Sequence, residues 1–85
     1  MDYIIVAFRA RAHTVRFHEY LRRNGIFSEI VNTPKEAGVG CGLSVKVSKE
    51  RLSMIKNIAY RSGLDSLAGF FIVQYNSGKR LVRSI

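Results

Sequence analysis

The sequence predicts an α+β domain in which two helices cover one face of an antiparallel sheet. Three observations predict it. Runs rich in β-formers, "YIIVAF" and "FFIVQY", stand near the start and towards the end of the chain. Two stretches with helical apolar spacing follow the first run and precede the second. Between the helices lie two short strand patterns. The order β-α-β-β-α-β is that of the split βαβ, ferredoxin-like plan, here with an extra C-terminal strand. At 85 residues the chain holds one domain, 1–85, with a small core.

The first strand, from Tyr3 to Phe8, is apolar on both parities, as a central strand covered on both faces requires. In the helix that follows, Ala10, His13, Thr14, Phe17, Tyr20 and Leu21 share one face, while Arg11, Arg16, Arg22 and Arg23 point away from its centre. Asn24 and Gly25 supply the stop. Residues 26–31, "IFSEIV", read as the second strand, ended by the Asn32-Thr33-Pro34 turn signal. "GLSVKV" reads as the third, with Leu43, Val45 and Val47 on one face and Ser44 and Lys46 on the other.

Ser48 is the expected N-cap of the second helix, whose buried stripe is Leu52, Ile55, Ile58 and Ala59 and whose end is Gly63. "FFIVQY" then makes the fourth strand. "NSGK" turns into "RLVRSI", a short fifth strand at the sheet edge or in a subunit contact. Helices cover only one sheet face, so the apolar residues on the other predict a homodimer through the open face or the final strand.

Fourteen Lys and Arg against six Asp and Glu give a formal charge of +8, which favours a polyanion or an acidic protein as partner. RNA, including tRNA, is one such reading, because ferredoxin-like sheets often bind it. The outward positions of the third strand, Gly42, Ser44 and Lys46, offer no aromatic pair on which bases would stack. No apolar run approaches the ~20 residues of a membrane span, and no secretory signal is visible, so the expectation is a cytoplasmic chain with a reduced thiol and no membrane partner.

The candidate chemistry gathers in "NTPKEAGVGCGLSVKV", residues 32–47, which holds the single proline and the single cysteine. In the predicted topology the third strand starts beside the end of the first, where the first helix also begins. Cys41 is therefore expected near Phe8, Arg9 and the first helical turn, on the helix-covered face. A helix N-terminus carries roughly half a positive charge, which stabilises a thiolate. Gly38, Gly40 and Gly42 let the loop backbone approach the sulfur, and Arg9, His13 and Lys35 are the cations of the same rim. Cys41 has the parity of Leu43, so the same position also suits a small packed hydrophobe.

Other site types fit poorly. His13 and His18 are five residues apart on a helix, and one cysteine does not complete a zinc cluster, so neither metal nor cofactor is expected. The run Gly38 to Gly42 lacks the spacing of a dinucleotide fingerprint and leads into a strand, and no P-loop is present.

The segment "NTPKEAGVGCGLSVKV" resembles the Se/S carrier-like family of small bacterial proteins, in which a Thr-Pro-basic turn leads to Cys-Gly and an apolar strand. "YIIVAFRARAHTVRFHEYLRRNGI" is similar to that family's opening strand and helix, with a histidine near the helix start, here His13. The resemblance implies that Cys41 holds sulfur or selenium as a persulfide or selenium adduct. It implies that Thr33, Pro34 and Lys35 form the turn, and that Gly42 allows close approach. The implied partners are a chalcogen donor such as a cysteine desulfurase and an acceptor protein. "EAGVG" departs from the more serine-rich loop of the family. Hydroxyl contacts to a bound chalcogen would here be replaced by backbone amides.

Overall fold

In the computed structural model, which describes residues 2–85, β1 (Tyr3–Phe8) is the middle strand of a five-stranded antiparallel sheet. It pairs with β3 (Leu43–Val47) on one side and β4 (Leu67–Asn76) on the other. The edges are β2 (Glu29–Asn32), beside β3, and β5 (Lys79–Ser84), beside β4. Two helices complete the α+β domain: α1 (Arg11–Arg23) follows β1, and α2 (Leu52–Arg61) follows β3. Among the described residues no helix is long and apolar enough to cross a membrane.

The alternation of β1 decides where the core sits. Ile4, Val6 and Phe8 face the helices and pack with Val45, Val47 and Phe70 from the sheet, Phe17 and Leu21 from α1, and Ile55 and Ala59 from α2. Phe17 is fully buried, its ring 5.3 Å from that of Phe8. Complete burial of a side chain this large contributes about 2–3 kcal/mol.

Helix α1 closes with paired reverse hydrogen bonds: Gly25 N–H donates to Arg22 O at 3.1 Å and Ile26 N–H to Leu21 O at 2.9 Å. This ending moves the second strand. Ile26 is pulled into the core, 5% exposed, and Ser28 Oγ lies 2.7 Å from His18 Nδ1 on α1. Pairing with β3 therefore starts at Glu29, three residues later than the apolar pattern predicts. The second helix also starts late. Ser48 turns its hydroxyl to the Glu50 carboxylate and caps no amide, a 3₁₀ turn fills Lys49–Arg51, and α2 begins at Leu52. Strand β4 is longer than expected, reaching back to Leu67 through a register shift opposite Ala7 and Phe8. The β4–β5 turn has positive φ at Ser77 and Gly78, as a two-residue hairpin of this twist requires.

The second sheet face is not left bare. Ile5, Ala7, Phe71 and Val73 form a smaller buried cluster there, and Ala37 and Val39 of the β2–β3 connection pack against it. Residues 33–42 fold back over the sheet, with a 3₁₀ turn at Lys35–Ala37. Glu36 then meets Arg80 of β5 through two hydrogen bonds, Nη2 to Oε1 at 2.8 Å and Nε to Oε2 at 3.1 Å. The chain's own loop thus covers part of the apolar face from which a dimer is expected. The edge strand β5 exposes Lys79, Arg80, Leu81 and Arg83, with Arg80 paired to Glu36 and Arg83 Nη2 donating to Gln74 Oε1 at 2.9 Å.

Candidate functional site: the Cys41 rim

The sulfur's position follows from the sheet register. Ala7 pairs with Ser44, so the chain just before β3 runs past the end of β1, and Cys41 N–H donates to Phe8 O at 3.1 Å. Two glycines bracket the residue, Gly40 at φ +95° and Gly42 at φ +96°. Side chains rarely tolerate that conformation. At Gly40 a Cβ would also stand 3.3 Å from Phe8 O and 3.6 Å from the Ala7 methyl. With this backbone path, the half-buried Cys41 side chain turns to the helix side of the sheet.

There it meets α1. Thr14 Oγ1, fully buried, is 3.6 Å from Cys41 Sγ and donates to Leu43 O at 3.4 Å; the thiol itself reaches Leu43 O at 3.6 Å. One hydroxyl is thus shared between a carbonyl and a sulfur. While the sulfur keeps its one proton, Leu43 O accepts it. Once it is ionised, the Thr14 hydroxyl is free to rotate and donate to the anion. Burial, the largest single influence, works to raise the thiol pKa. Backbone hydrogen bonding at Leu43, the Thr14 hydroxyl, the Cys41 backbone and the Arg11 charge together outweigh it, and the thiol ionises below its ordinary value of 9.0. Arg11 is exposed, so salt weakens its share.

Two of the cations expected at this rim, Arg9 and His13, bond on the β4 side of it. Arg9 donates its backbone N–H to Ser66 O at 2.8 Å and its guanidinium to Leu67 O at 3.4 Å. His13 Nδ1 is 2.6 Å from Ser66 Oγ, and the ring stands edge-on to Phe8. Both are thus tied to the connection entering β4, on one side of β1, whereas Cys41 lies on the β3 side. Glu36, the acid closest to the cysteine in sequence, is held by Arg80.

The loop residues do come together. Thr33, Pro34, Lys35, Gly40 and Gly42 line one shallow cleft of about 260 Å³ with Gly38 and Val39. Thr33 shapes its base, donating N–H to Gly42 O at 2.9 Å and placing Oγ1 2.6 Å from Ser44 Oγ. Cys41 sits between two of the lining glycines with its sulfur at Thr14, so cleft and thiol share one backbone. Among the described residues no group of three or more His, Cys, Asp or Glu is placed to hold a metal ion.

Sequence reasoning missed Thr14 and Arg11 as neighbours of the sulfur. Thr14 had a readable signal: a hydroxyl on the buried stripe of a helix needs a partner, and helix and loop converge at Cys41. Arg11 had none, since its wheel position reads as solvated. Residues 2–68 match the family described as "Putative Se/S carrier protein-like". Neither the curated proteins nor the solved structures contain a match to the chain.

Proposed function

The chain belongs to the Se/S carrier-like family, and on that premise we propose that Cys41 is a carrier thiol for sulfur or selenium. The supporting observation is the sulfur's setting: half-buried, beside Thr14 Oγ1 and the Leu43 backbone, with its pKa lowered. A thiolate attacks the outer sulfur of a donor persulfide. One S–S bond breaks as the donor thiolate leaves, and one forms as Cys41 becomes the persulfide, so no external oxidant or reductant is consumed. The same exchange in reverse delivers the sulfur to an acceptor thiolate, and an S–Se bond follows the same course. A cysteine desulfurase is the proposed donor class and a thiol-bearing protein the acceptor. Thr33, Pro34, Lys35, Gly40 and Gly42 form the proposed approach cleft.

The strand order with both helices on one face supports a ferredoxin-like plan carrying an added edge strand. Intact mass spectrometry after incubation with a cysteine desulfurase and cysteine tests the carrier role. One added sulfur on the wild type and none on Cys41→Ser is the expected result. No addition, or equal addition to both, ends the proposal.

A second reading is RNA binding with Cys41 in a packing role. It draws on the helical layer, where α1 and α2 carry Arg11, Arg16, Arg22, Arg23, Lys56 and Arg61 against the single acid Glu19. Sheet-based stacking has little room under the loop at Ala37 and Val39. Steeply salt-dependent RNA binding that persists in Cys41→Ser would favour it.

A further inference from the structure

The family match ends at residue 68, yet the loop that carries Cys41 is fastened to a strand beyond it. Residues 33–42 have anchors near both ends, in Thr33 N–H to Gly42 O and Cys41 N–H to Phe8 O. Between them, the 3₁₀ turn at Lys35–Ala37 is joined by side-chain hydrogen bonds to β5: Glu36 and Arg80 meet in a bidentate pair across 44 residues of sequence. Just beyond this clasp in the chain, Ala37 and Val39 lie over Ile5, Ala7, Phe71 and Val73. Arg80 is itself set in place by the sheet, paired across from Tyr75 on β4. A guanidinium fork matching a carboxylate fixes direction as well as distance, which a lysine at the same place does not.

We propose that Arg80, from the C-terminal hairpin, is the positioning residue for the cysteine loop: by clasping Glu36 it holds residues 35–40 on the sheet and sets how far the cleft beside Cys41 opens. Its functional meaning rests on the carrier reading above; its geometry does not. The groups that hold Cys41, Phe8 O at its backbone N–H and Thr14 Oγ1 and the Leu43 backbone at its sulfur, are not part of the clasp. Cys41 lies in the same loop, closed by Thr33 N–H to Gly42 O, so loosening the clasp frees the backbone that carries the thiol and changes access to it, while the contacts that govern its ionisation stay in place. Arg80 also holds the Glu36 carboxyl below the usual carboxylate range, so the clasp persists into mildly acidic solution.

The test uses the full chain, amide hydrogen exchange and the rate of iodoacetamide alkylation of Cys41 against pH. Arg80→Ala and Glu36→Gln are each expected to speed exchange across residues 35–40 severalfold. Each is also expected to raise the plateau alkylation rate without moving its pH midpoint. The exchanged pair, Glu36→Arg with Arg80→Glu, is expected to restore both quantities, and Lys79→Ala on the same strand to change neither. Unaltered exchange and alkylation in the single variants, a shifted midpoint, or failure of the exchanged pair to restore them would overturn the proposal. No sulfur donor enters these measurements. A chain that passes them yet takes up no sulfur fails the carrier reading alone.

Discussion

Replacing Thr14 by Val asks whether the shared hydroxyl sustains the thiolate. Valine keeps the branching and nearly the size of threonine, so the fully buried site stays filled while its hydroxyl is lost. What is lost is one donor 3.6 Å from Cys41 Sγ, together with its bond to Leu43 O. A hydrogen bond to a charged group is worth about 1.5–3 kcal/mol at good geometry. The long contact to a diffuse sulfur anion reduces this to about 1 kcal/mol, or about a fivefold lower thiolate-to-thiol ratio at any pH near neutrality. Alkylation of Cys41 by iodoacetamide reads that ratio, because the thiolate is the reactive form. The expected outcome is a rate about fivefold lower at neutral pH that converges on the wild-type rate in alkali, where both thiols are ionised. A Thr14→Val rate equal to or above wild type at neutral pH would refute the reasoning, as would a deficit that persists in alkali.

Two further outcomes follow from the same geometry. Gly40→Ala should destabilise the fold by about 1–3 kcal/mol in denaturant unfolding, since strain at φ +95° is joined by a Cβ contact with Phe8 O. Gly42→Ala has similar φ but open space around it and should cost less. The stability of the wild type relative to Cys41→Ser should depend on pH with a definite sign. Because the folded pKa is depressed, the stabilisation from ionising Cys41 is fully present above the unfolded thiol pKa and disappears as pH falls through the folded one. The difference should therefore widen between neutral pH and about pH 9, and a difference that narrows there would contradict the lowered pKa.

Local chemistry made much of this legible. The two-sided apolar run of β1 announced a strand with neighbours on each side, and the parity of Cys41 with Leu43 placed the sulfur beside Phe8 and the helix start. Contacts between segments far apart in sequence were not legible. Ala37 and Val39 look like ordinary loop residues among glycines, yet they close the second apolar cluster. Nothing near Glu36 in sequence points to Arg80. Sequence does not tell which flank of β1 a side chain joins, and Ser66 ties both Arg9 and His13 to the β4 flank. Strand β2 was drawn too long because Ile26 belongs to the ending of α1, a claim on that residue which apolar periodicity does not register.

The central claim is that Cys41 is anionic at a lower pH than an ordinary cysteine while remaining open to a reactant. Ultraviolet titration of the thiolate in the intact chain, with the Cys41→Ser spectrum subtracted to remove the tyrosines, measures the first part directly. The expected midpoint lies below that of free cysteine titrated in the same buffer. A midpoint at or above it would contradict the account.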